Sequence, residues 1–190
     1  MIIGITGGTG CGKTTFLRAV EALGGLVLDC DVIYHQLLKT DISLLQAIEN
    51  RFPGCVSKSG LDRKKLASIV FADDAALQDL NRITHGAVKQ EVLRRLASAP
   101  KLAAIDAIGL FESSLSELCQ LTVAITAPLE QRIQRLTRRD GISEEAALQR
   151  IQAQKEPFYY AEKCDFVLEN NESEEVFLQT CLAFLKARVY

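Results

Sequence analysis

The sequence predicts an α/β fold, a five-stranded parallel sheet flanked by helices. Five short apolar runs recur along the chain, and helix-like segments follow them. The runs do not alternate with polar residues, which is typical of strands buried on both faces of a parallel sheet. With 190 residues, 48% of them hydrophobic, the chain is long enough for one domain with a full core. The predicted strands cover residues 2–6, 26–29, 102–106, 122–126 and 166–169.

Composition argues against several classes of protein. The chain has 22 basic and 24 acidic side chains, so it lacks the positive field typical of nucleic-acid-binding proteins. No apolar run approaches the ~20 residues that span a bilayer, and we expect no membrane partner. The six cysteines form no C-x-x-C pair, which is typical of free thiols in a reducing compartment. We therefore expect a cytoplasmic protein, either a monomer or a weak homo-oligomer.

Local signals mark the ends of several helices. A helix over residues 13–23 follows the first strand and ends at a pair of glycines, which tolerate the positive φ of a helix end. Pro128 is expected to open a helix in its first turn. Ser143 and Ser173 are predicted N-caps because each precedes two glutamates, which the helix dipole favours.

A long stretch separates the second and third predicted strands. Apolar residues recur at helical spacing over residues 32–101, far more chain than one crossover helix needs. We interpret this stretch as a helical insertion built around a substrate pocket, with extra packing as the alternative. Within it, residues 53–60 (PGCVSKSG) are predicted to form a loose linker.

The residues after the first predicted strand match a phosphate-binding motif. Residues 7–14, GGTGCGKT, fit G-x-x-x-x-G-K-[ST] between a predicted strand and a predicted helix. Glycines let backbone N–H groups turn toward an anion, the helix N-terminus adds positive potential, and Lys13 reaches the β and γ phosphates. Thr14 offers a hydroxyl ligand for Mg²⁺. Residues 7–14, the phosphate loop, are therefore predicted to hold a nucleoside triphosphate.

Guanidinium groups are concentrated in a later predicted helix. Arg132, Arg135 and Arg139 recur at spacings of three and four residues, which places them on one helix face. Arginines so placed can close over transferring phosphates and neutralise their charge, whereas a solvated helix face is the alternative for any single one. The N-K-x-D motif of guanine-specific GTPases does not occur in the chain.

Carboxylates end two of the predicted strands. Asp29 and Asp31 come at the end of the second strand, and Asp106 ends the third. Ligands of parallel-sheet proteins collect beyond the carboxyl ends of the strands. An aspartate there can accept a proton from an attacking hydroxyl or orient Mg²⁺. Capping of the next helix is the alternative for Asp29 or Asp31, and a structural role is the alternative for Asp106.

These motifs resemble the dephospho-coenzyme A kinase family over nearly the whole chain. In the family's order and spacing, the resemblance runs through GITGGTGCGKTT, VLDCDVI, GLDRKKLASIVFADDAALQDLNRITH, AIDAIGLFES, APLEQRIQRLTRRDGISEEAALQRIQAQ and CDFVLENN. It implies a P-loop NTPase fold with a helical substrate-binding insertion and a helical lid. It also implies a magnesium-dependent transfer of the γ-phosphate of ATP to the ribose 3′-hydroxyl of dephospho-coenzyme A, the last step of coenzyme A biosynthesis.

The resemblance implies roles for individual residues. Asp31 is the expected general base, with Lys13 and Arg139 as the other catalytic residues. Arg63 and His85 are expected to bind the acceptor together with Asp31.

Further residues are expected to hold the nucleotide and its metal. Thr14 and Asp106 are the candidate magnesium ligands. The residues expected to bind ATP are Gly8, Gly10, Cys11, Gly12, Lys13, Thr14, Thr15, Arg135 and Arg139. One kinase domain is expected over residues 1–190, with its core in 1–31, 102–127 and 164–190, the insertion in 32–101 and the lid in 128–163.

Three positions depart from the family's pattern. The family's HP is His85-Gly86 here, and its PLLFE is IGLFE at residues 108–112. Tyr160 stands where a basic residue usually follows the lid glutamine, Gln154. None of the three lies in the phosphate loop.

Two other functions stay open at this point. One is a kinase for another small alcohol or a nucleoside monophosphate, although the long insertion favours a bulky acceptor. The other is a nucleotide-dependent switch without transfer activity, which the intact Lys13, Thr14 and Asp31 argue against.

Overall fold

The computed structural model, which describes residues 1–58 and 60–189, divides the chain into two units. The first unit combines Met1–Leu28 with the chain from Ala99 onward. The second unit is Asp29–Ser98. The second unit is thus inserted in the sequence of the first.

Helices and strands alternate along much of the chain. In chain order, the strands are β1 (Ile2–Thr6), β2 (Leu26–Asp29), β3 (Val56–Ser57), β4 (Gly60–Leu61), β5 (Ala103–Asp106), β6 (Leu121–Thr126) and β7 (Phe166–Glu169). The α-helices are α1 (Lys13–Ala22), α2 (Cys30–Thr40), α3 (Ile42–Arg51), α4 (Arg63–Val70), α5 (Asp74–Leu96), α6 (Leu129–Asp140), α7 (Glu144–Gln152), α8 (Pro157–Lys163) and α9 (Glu174–Val189). No helix among the described residues is long and apolar enough to cross a membrane.

The five-stranded parallel sheet predicted from the sequence is confirmed. Its strand order is β2-β5-β1-β6-β7, so β1 is central. Ile3 of β1 is in register with Ala104 of β5 on one side and with Leu121 of β6 on the other. All five predicted strands are present, each within one residue of its predicted ends. The central position of β1 places the phosphate loop, which follows it, at the carboxyl edge of the sheet.

Helices α1 and α9 pack together beside this sheet. Ile3 and Ile5 of β1 are fully buried in one cluster with Phe16 of α1 and Phe177 of α9. The rings of Phe16 and Phe184 meet edge to face, with their centroids 6.1 Å apart. Burial of these side chains is the main source of stability for α1, because an isolated helix of ten residues is marginal in water.

Aspartate caps begin the four helices of the second unit. The side chains of Asp29, Asp41, Asp62 and Asp73 accept hydrogen bonds from backbone N–H groups in the first turns of α2, α3, α4 and α5. Each cap satisfies donors that have no partner within the helix. The apolar faces of these helices meet in a separate core that includes Leu44, Ile48, Phe52, Leu66 and Val70.

The prediction of a loose linker at residues 53–60 is wrong, because β3 and β4 form a small hairpin there. β3 and β4 pair antiparallel, with Val56 in register with Leu61. The Glu49 carboxylate accepts hydrogen bonds from the backbone N–H groups of Gly54 and Val56, at 2.5 and 2.7 Å. Because these bonds come from a side chain of the preceding helix, the composition of PGCVSKSG alone does not reveal the hairpin. Ser59 lies outside the described residues.

The six cysteines are free thiols, as predicted. Burial raises the pKa of Cys181 to about 12, and burial is also the main reason why the pKa of Cys119 rises to about 12. Both side chains therefore stay protonated at neutral pH and act as small apolar groups.

One charge cluster makes the stability of the second unit depend on pH. Hydrogen bonds from Arg94 and then Arg95, both at 2.7 Å, lower the pKa of Glu91 from 4.5 to about 2. A lowered folded-state pKa adds stability above the unfolded value near pH 4.5, and that stability is lost as the pH falls toward 2. Because Arg94 is largely exposed, water screens its ion pair with Glu91 and keeps the contribution to stability small.

We therefore expect Glu91→Gln to lower the free energy of unfolding at pH 7 by no more than about 1 kcal/mol. The difference from the wild type should shrink as the pH falls below 4.5. Urea denaturation at several pH values measures the difference in unfolding free energy and its dependence on pH. A difference that stays constant down to pH 3 would contradict the role of the ionised carboxylate.

Candidate functional site

The phosphate loop lies between β1 and α1, as the motif predicts. Gly7, Gly10 and Gly12 have φ angles of 137°, 75° and 98°, which residues with a side chain rarely adopt. Gly12 is also the N-cap of α1. The loop therefore runs directly into the N-terminus of a helix, where backbone N–H groups and the helix dipole favour an anion.

Neighbouring atoms of α6 and of Asn170 crowd the position of a Cβ at three loop glycines. A Cβ on Gly8 would overlap Nη2 of Arg132, and one on Gly12 would overlap Nδ2 of Asn170. A Cβ on Gly10 would lie 2.9 Å from the backbone oxygen of Arg132. The glycines thus allow α6 and the end of β7 to press against the loop.

Lys13 occupies the first position of α1. Its Nζ donates a hydrogen bond to the Gly7 oxygen at 2.9 Å, so the ammonium lies against the loop. An ammonium has three N–H donors, and the remaining ones are available to a phosphate. The side chain of Thr14, the next residue, is exposed, whereas Thr15 is buried.

Oxygen donors of the first unit fit a magnesium ion held mainly by a nucleotide. Asp106, the last residue of β5, is half-buried and in register with Ile5 of β1. Among the described residues, no group of three or more His, Cys, Asp or Glu side chains is placed to hold a metal alone. Mg²⁺ typically takes one or two protein oxygens together with phosphate oxygens and water. The Thr14 hydroxyl and the Asp106 carboxylate are donors of that kind.

Arg135 of α6 braces the phosphate loop. Its Nη1 donates to the Gly10 oxygen at 3.3 Å and to the Cys11 oxygen at 3.5 Å, and its Nη2 donates to Oδ1 of Asn170 at 3.1 Å. Burial lowers the pKa of the Arg135 guanidinium, although the Cys11 thiol and the Glu174 carboxylate act in the opposite direction. The Cys11 side chain is buried in the core, so this residue faces the site with its backbone.

Arg139 does not touch the loop in this structure. It forms a two-point ion pair with the neighbouring Asp140, at 2.7 and 3.0 Å, and its side chain is 62% exposed. Arg150 of α7 donates to the same carboxylate at 2.8 Å. These hydrogen bonds, the one from Arg139 first, hold the pKa of Asp140 below its ordinary value. Arg139 is therefore the exposed member of the predicted arginine face.

Three loop contacts involve residues outside the predicted ATP-binding set, although Arg132 was placed on the predicted arginine face and Gln154 in the lid. Arg132 Nε donates to the Thr9 oxygen at 2.9 Å, and Thr9 N–H donates to Oε1 of Gln154 at 2.7 Å. Asn170, 3% exposed at the end of β7, donates from Nδ2 to the Cys11 oxygen at 2.9 Å. In the sequence, the spacing of three residues between Arg132 and Arg135 indicates that both lie on the same helix face. Asn170 could have been found from its place just after a predicted strand.

Asp31 is the exposed second residue of α2 in the second unit. The cap of that helix is Asp29, whose Oδ1 accepts from the Val32 N–H at 2.9 Å. Capping therefore accounts for Asp29, and the carboxylate of Asp31 is not the cap.

The two predicted acceptor-binding residues also lie in the second unit. Arg63 begins α4, and its Nη2 is 3.4 Å from Nδ1 of His35. Arg63 and Tyr34 are the polar members of a mainly apolar cavity of about 250 Å³ between helices of this unit. His85 is half-buried in α5, which continues without a break through Gly86.

Comparison with known proteins agrees with the predicted family. The family model described as Dephospho-CoA kinase matches residues 1–175. A dephospho-CoA kinase from Corynebacterium diphtheriae is 32% identical over 92% of this chain and 90% of its own length. Another, from Anaeromyxobacter dehalogenans, is 36% identical over 92% of this chain and 85% of its own length.

Solved structures give the same result. The structure of a Thermus thermophilus protein superposes with a TM-score of 0.83 at 32% identity, covering 100% of this chain and 98% of that one. A dephospho-CoA kinase from Campylobacter jejuni superposes with a TM-score of 0.66 at 26% identity. The match covers 97% of this chain and 95% of that one. A shikimate kinase from Acinetobacter baumannii, 18% identical over 100% of this chain and 95% of its own, with a TM-score of 0.54, shares the fold. The chain has the fold of P-loop kinases, and it belongs to the dephospho-CoA kinase family.

Proposed function

We propose that this chain transfers the γ-phosphate of ATP to the ribose 3′-hydroxyl of dephospho-coenzyme A and so forms coenzyme A. The observation that carries the proposal is a formed phosphate loop, with Lys13 lying on it, in a chain of this family. A loop of this kind supports the binding of a nucleoside triphosphate. Family membership supports dephospho-coenzyme A as the acceptor.

Lys13, Arg135 and Arg139 are proposed to stabilise the charge of the phosphates. Phosphoryl transfer passes through a loose transition state with charge spread over the phosphoryl oxygens. Lys13 supplies a positive charge at the loop, while Arg135 keeps the loop in shape through the Gly10 and Cys11 oxygens. Arg139 reaches the phosphates by exchanging the Asp140 carboxylate for a phosphate oxygen, which its exposure permits.

Thr14 and Asp106 are the residues proposed to hold Mg²⁺. When bound, the ion neutralises charge on the β and γ phosphates. The Thr14 hydroxyl and the Asp106 carboxylate would hold the ion, the carboxylate through water.

Asp31 is proposed to accept the proton of the 3′-hydroxyl. A carboxylate with an exposed side chain that is not the cap of its helix is available to a substrate hydroxyl. The second unit would bind the rest of the acceptor, with Arg63 and His85 as contacts. Arg63 supplies a guanidinium for a phosphate of the acceptor, at the rim of the apolar cavity that it lines.

Residues 128–163 are proposed to act as a lid. The start of α6 is tied to the phosphate loop, whereas Arg139 and Arg150 form their ion pairs with Asp140 alone among the described residues. We expect amide hydrogen exchange in α7 to slow when a non-hydrolysable ATP analogue and dephospho-coenzyme A are both bound, because closure excludes water from the phosphates. Exchange in α9 serves as the internal control. Equal exchange in α7 with and without the two ligands would rule out closure.

Release of ADP in a coupled assay tests the proposed reaction. The wild-type protein should release ADP from ATP when dephospho-coenzyme A is present, and far less when it is absent or replaced by a nucleoside monophosphate. Release that follows the nucleoside monophosphate instead would favour another small-molecule kinase. ATP binding with no acceptor-dependent release would favour a nucleotide-dependent switch.

A further inference from the structure

Arg132 of α6 carries a buried charge without a counter-ion among the described residues. The side chain is 4% exposed, and the ion pairs of these residues do not include it. Its Nε donates to the Thr9 oxygen, but its Nη2 is buried and has no hydrogen-bond partner. Arginine is rarely buried without a partner, because losing its water is costly. The arrangement therefore points to a ligand that supplies the missing acceptor.

The free nitrogen is directed at one end of the phosphate loop. A Cβ on Gly8 would overlap Arg132 Nη2 and would lie 3.0 Å from Cζ of Arg132. Lys13 Nζ lies on Gly7, the residue before Gly8. Lys13 of this motif reaches the β and γ phosphates, while the helix N-terminus at the other end of the loop holds the inner phosphates. Arg132 is thus beside the end of the loop that receives the terminal phosphate.

Side chains around Arg132 do not neutralise it. Tyr160 is 2% exposed, and burial raises its pKa even though Arg132 acts in the opposite direction, so the phenol is uncharged at neutral pH. The Glu112 carboxylate, which acts on Tyr160, accepts a hydrogen bond from the Tyr159 hydroxyl at 2.5 Å and makes no ion pair with Arg132 among the described residues. Gln154 is neutral, and its Oε1 accepts from the Thr9 N–H. No negative partner for Arg132 is supplied by these groups.

We infer that Arg132 binds the terminal phosphate: its Nη2 donates a hydrogen bond to a γ-phosphate oxygen of ATP in the phosphate loop. The inference rests on the proposed function in that ATP is the nucleotide held there. Since ADP lacks this phosphate, Arg132 favours ATP over ADP. The backbone of Arg132 lies against Gly10, which keeps this residue beside the loop.

Binding of ATP and ADP to Arg132→Gln tests the assignment. The variant should lose at least about tenfold in affinity for a non-hydrolysable ATP analogue, as expected for one hydrogen bond to a charged group, while its affinity for ADP changes much less. Calorimetry measures both. Arg138→Gln, which removes an exposed arginine from the same helix, is the matched control and should bind both nucleotides like the wild type.

Thermal unfolding of the free protein separates a ligand contact from a structural one. Arg132→Gln removes an uncompensated buried charge, so its Tm without nucleotide should not fall below that of the wild type. A lower Tm together with equal losses of affinity for the ATP analogue and for ADP would overturn the assignment. Unchanged affinity for both nucleotides would overturn it as well. If the wild type transfers phosphate to dephospho-coenzyme A but Arg132→Gln keeps its preference for ATP, the inference alone fails and the proposed function stands.

Discussion

Replacing Lys13 with alanine is expected to lower turnover about a hundredfold or more, which corresponds to ~3 kcal/mol of lost transition-state stabilisation. The Lys13 ammonium lies on the phosphate loop through the Gly7 oxygen and makes no ion pair with a described residue. Its loss therefore removes charge from the transferring phosphate and little packing from the core. Steady-state turnover, together with the Tm of the free protein, measures both effects.

Lys186→Ala is the matched control for this prediction. Lys186 is an exposed lysine near the end of α9, so its removal should leave turnover unchanged. Normal turnover in Lys13→Ala would remove the phosphate loop from the mechanism. A large fall in Tm would instead assign Lys13 a structural role in the loop.

Replacing Asp31 with asparagine is expected to cost at least about a hundredfold in turnover, within the range usual for general-base catalysis. Asparagine keeps the shape and one hydrogen-bond acceptor but is a very poor proton acceptor. Much of the acceleration in phosphoryl transfer comes from holding the hydroxyl in line and neutralising charge, yet the acceptor proton must still leave as the bond forms. Because Asp29 caps α2, the substitution at Asp31 should leave that helix intact.

Comparison with two other variants separates the possible roles of Asp31. Asp31→Ala should lose at least as much turnover as Asp31→Asn, and both should bind ATP almost normally by calorimetry. Asp41→Asn, which replaces the cap of α3 with another good capping residue, is the control and should keep wild-type turnover. Near-normal turnover in Asp31→Asn would reduce Asp31 to a positioning residue. Loss of ATP binding in both Asp31 variants would point to a magnesium role.

Local patterns were enough to predict the sheet and the phosphate loop. The strands could be found because each is a short apolar run, and the loop because its glycines, Lys13 and Thr14 are contiguous in the sequence. Ser143 was predicted as an N-cap, and its hydroxyl accepts from the Ala146 N–H. These features depend on residues close together in the sequence, so the sequence alone reveals them.

Contacts between distant parts of the chain could not be predicted in the same way. Arg132 and Asn170 touch the loop from residues more than a hundred positions away, through the packing of α6 and the register of β7. Periodicity placed Arg132 and Arg139 on one face, but it did not show that the first is buried and the second is paired with Asp140. The hairpin of β3 and β4 was missed for a different reason: the Glu49 side chain that holds it belongs to the preceding helix, outside the segment whose composition was read.

Identification of the phosphorylated product tests the central proposal most directly. The wild-type protein is incubated with Mg²⁺, dephospho-coenzyme A and ATP labelled at the γ-phosphate, and the product is isolated and analysed by mass spectrometry and phosphorus NMR. We predict a labelled product that carries one added phosphoryl group as a monoester on the ribose 3′-hydroxyl. Label found only in inorganic phosphate, or attached at any other position, would contradict the proposed reaction.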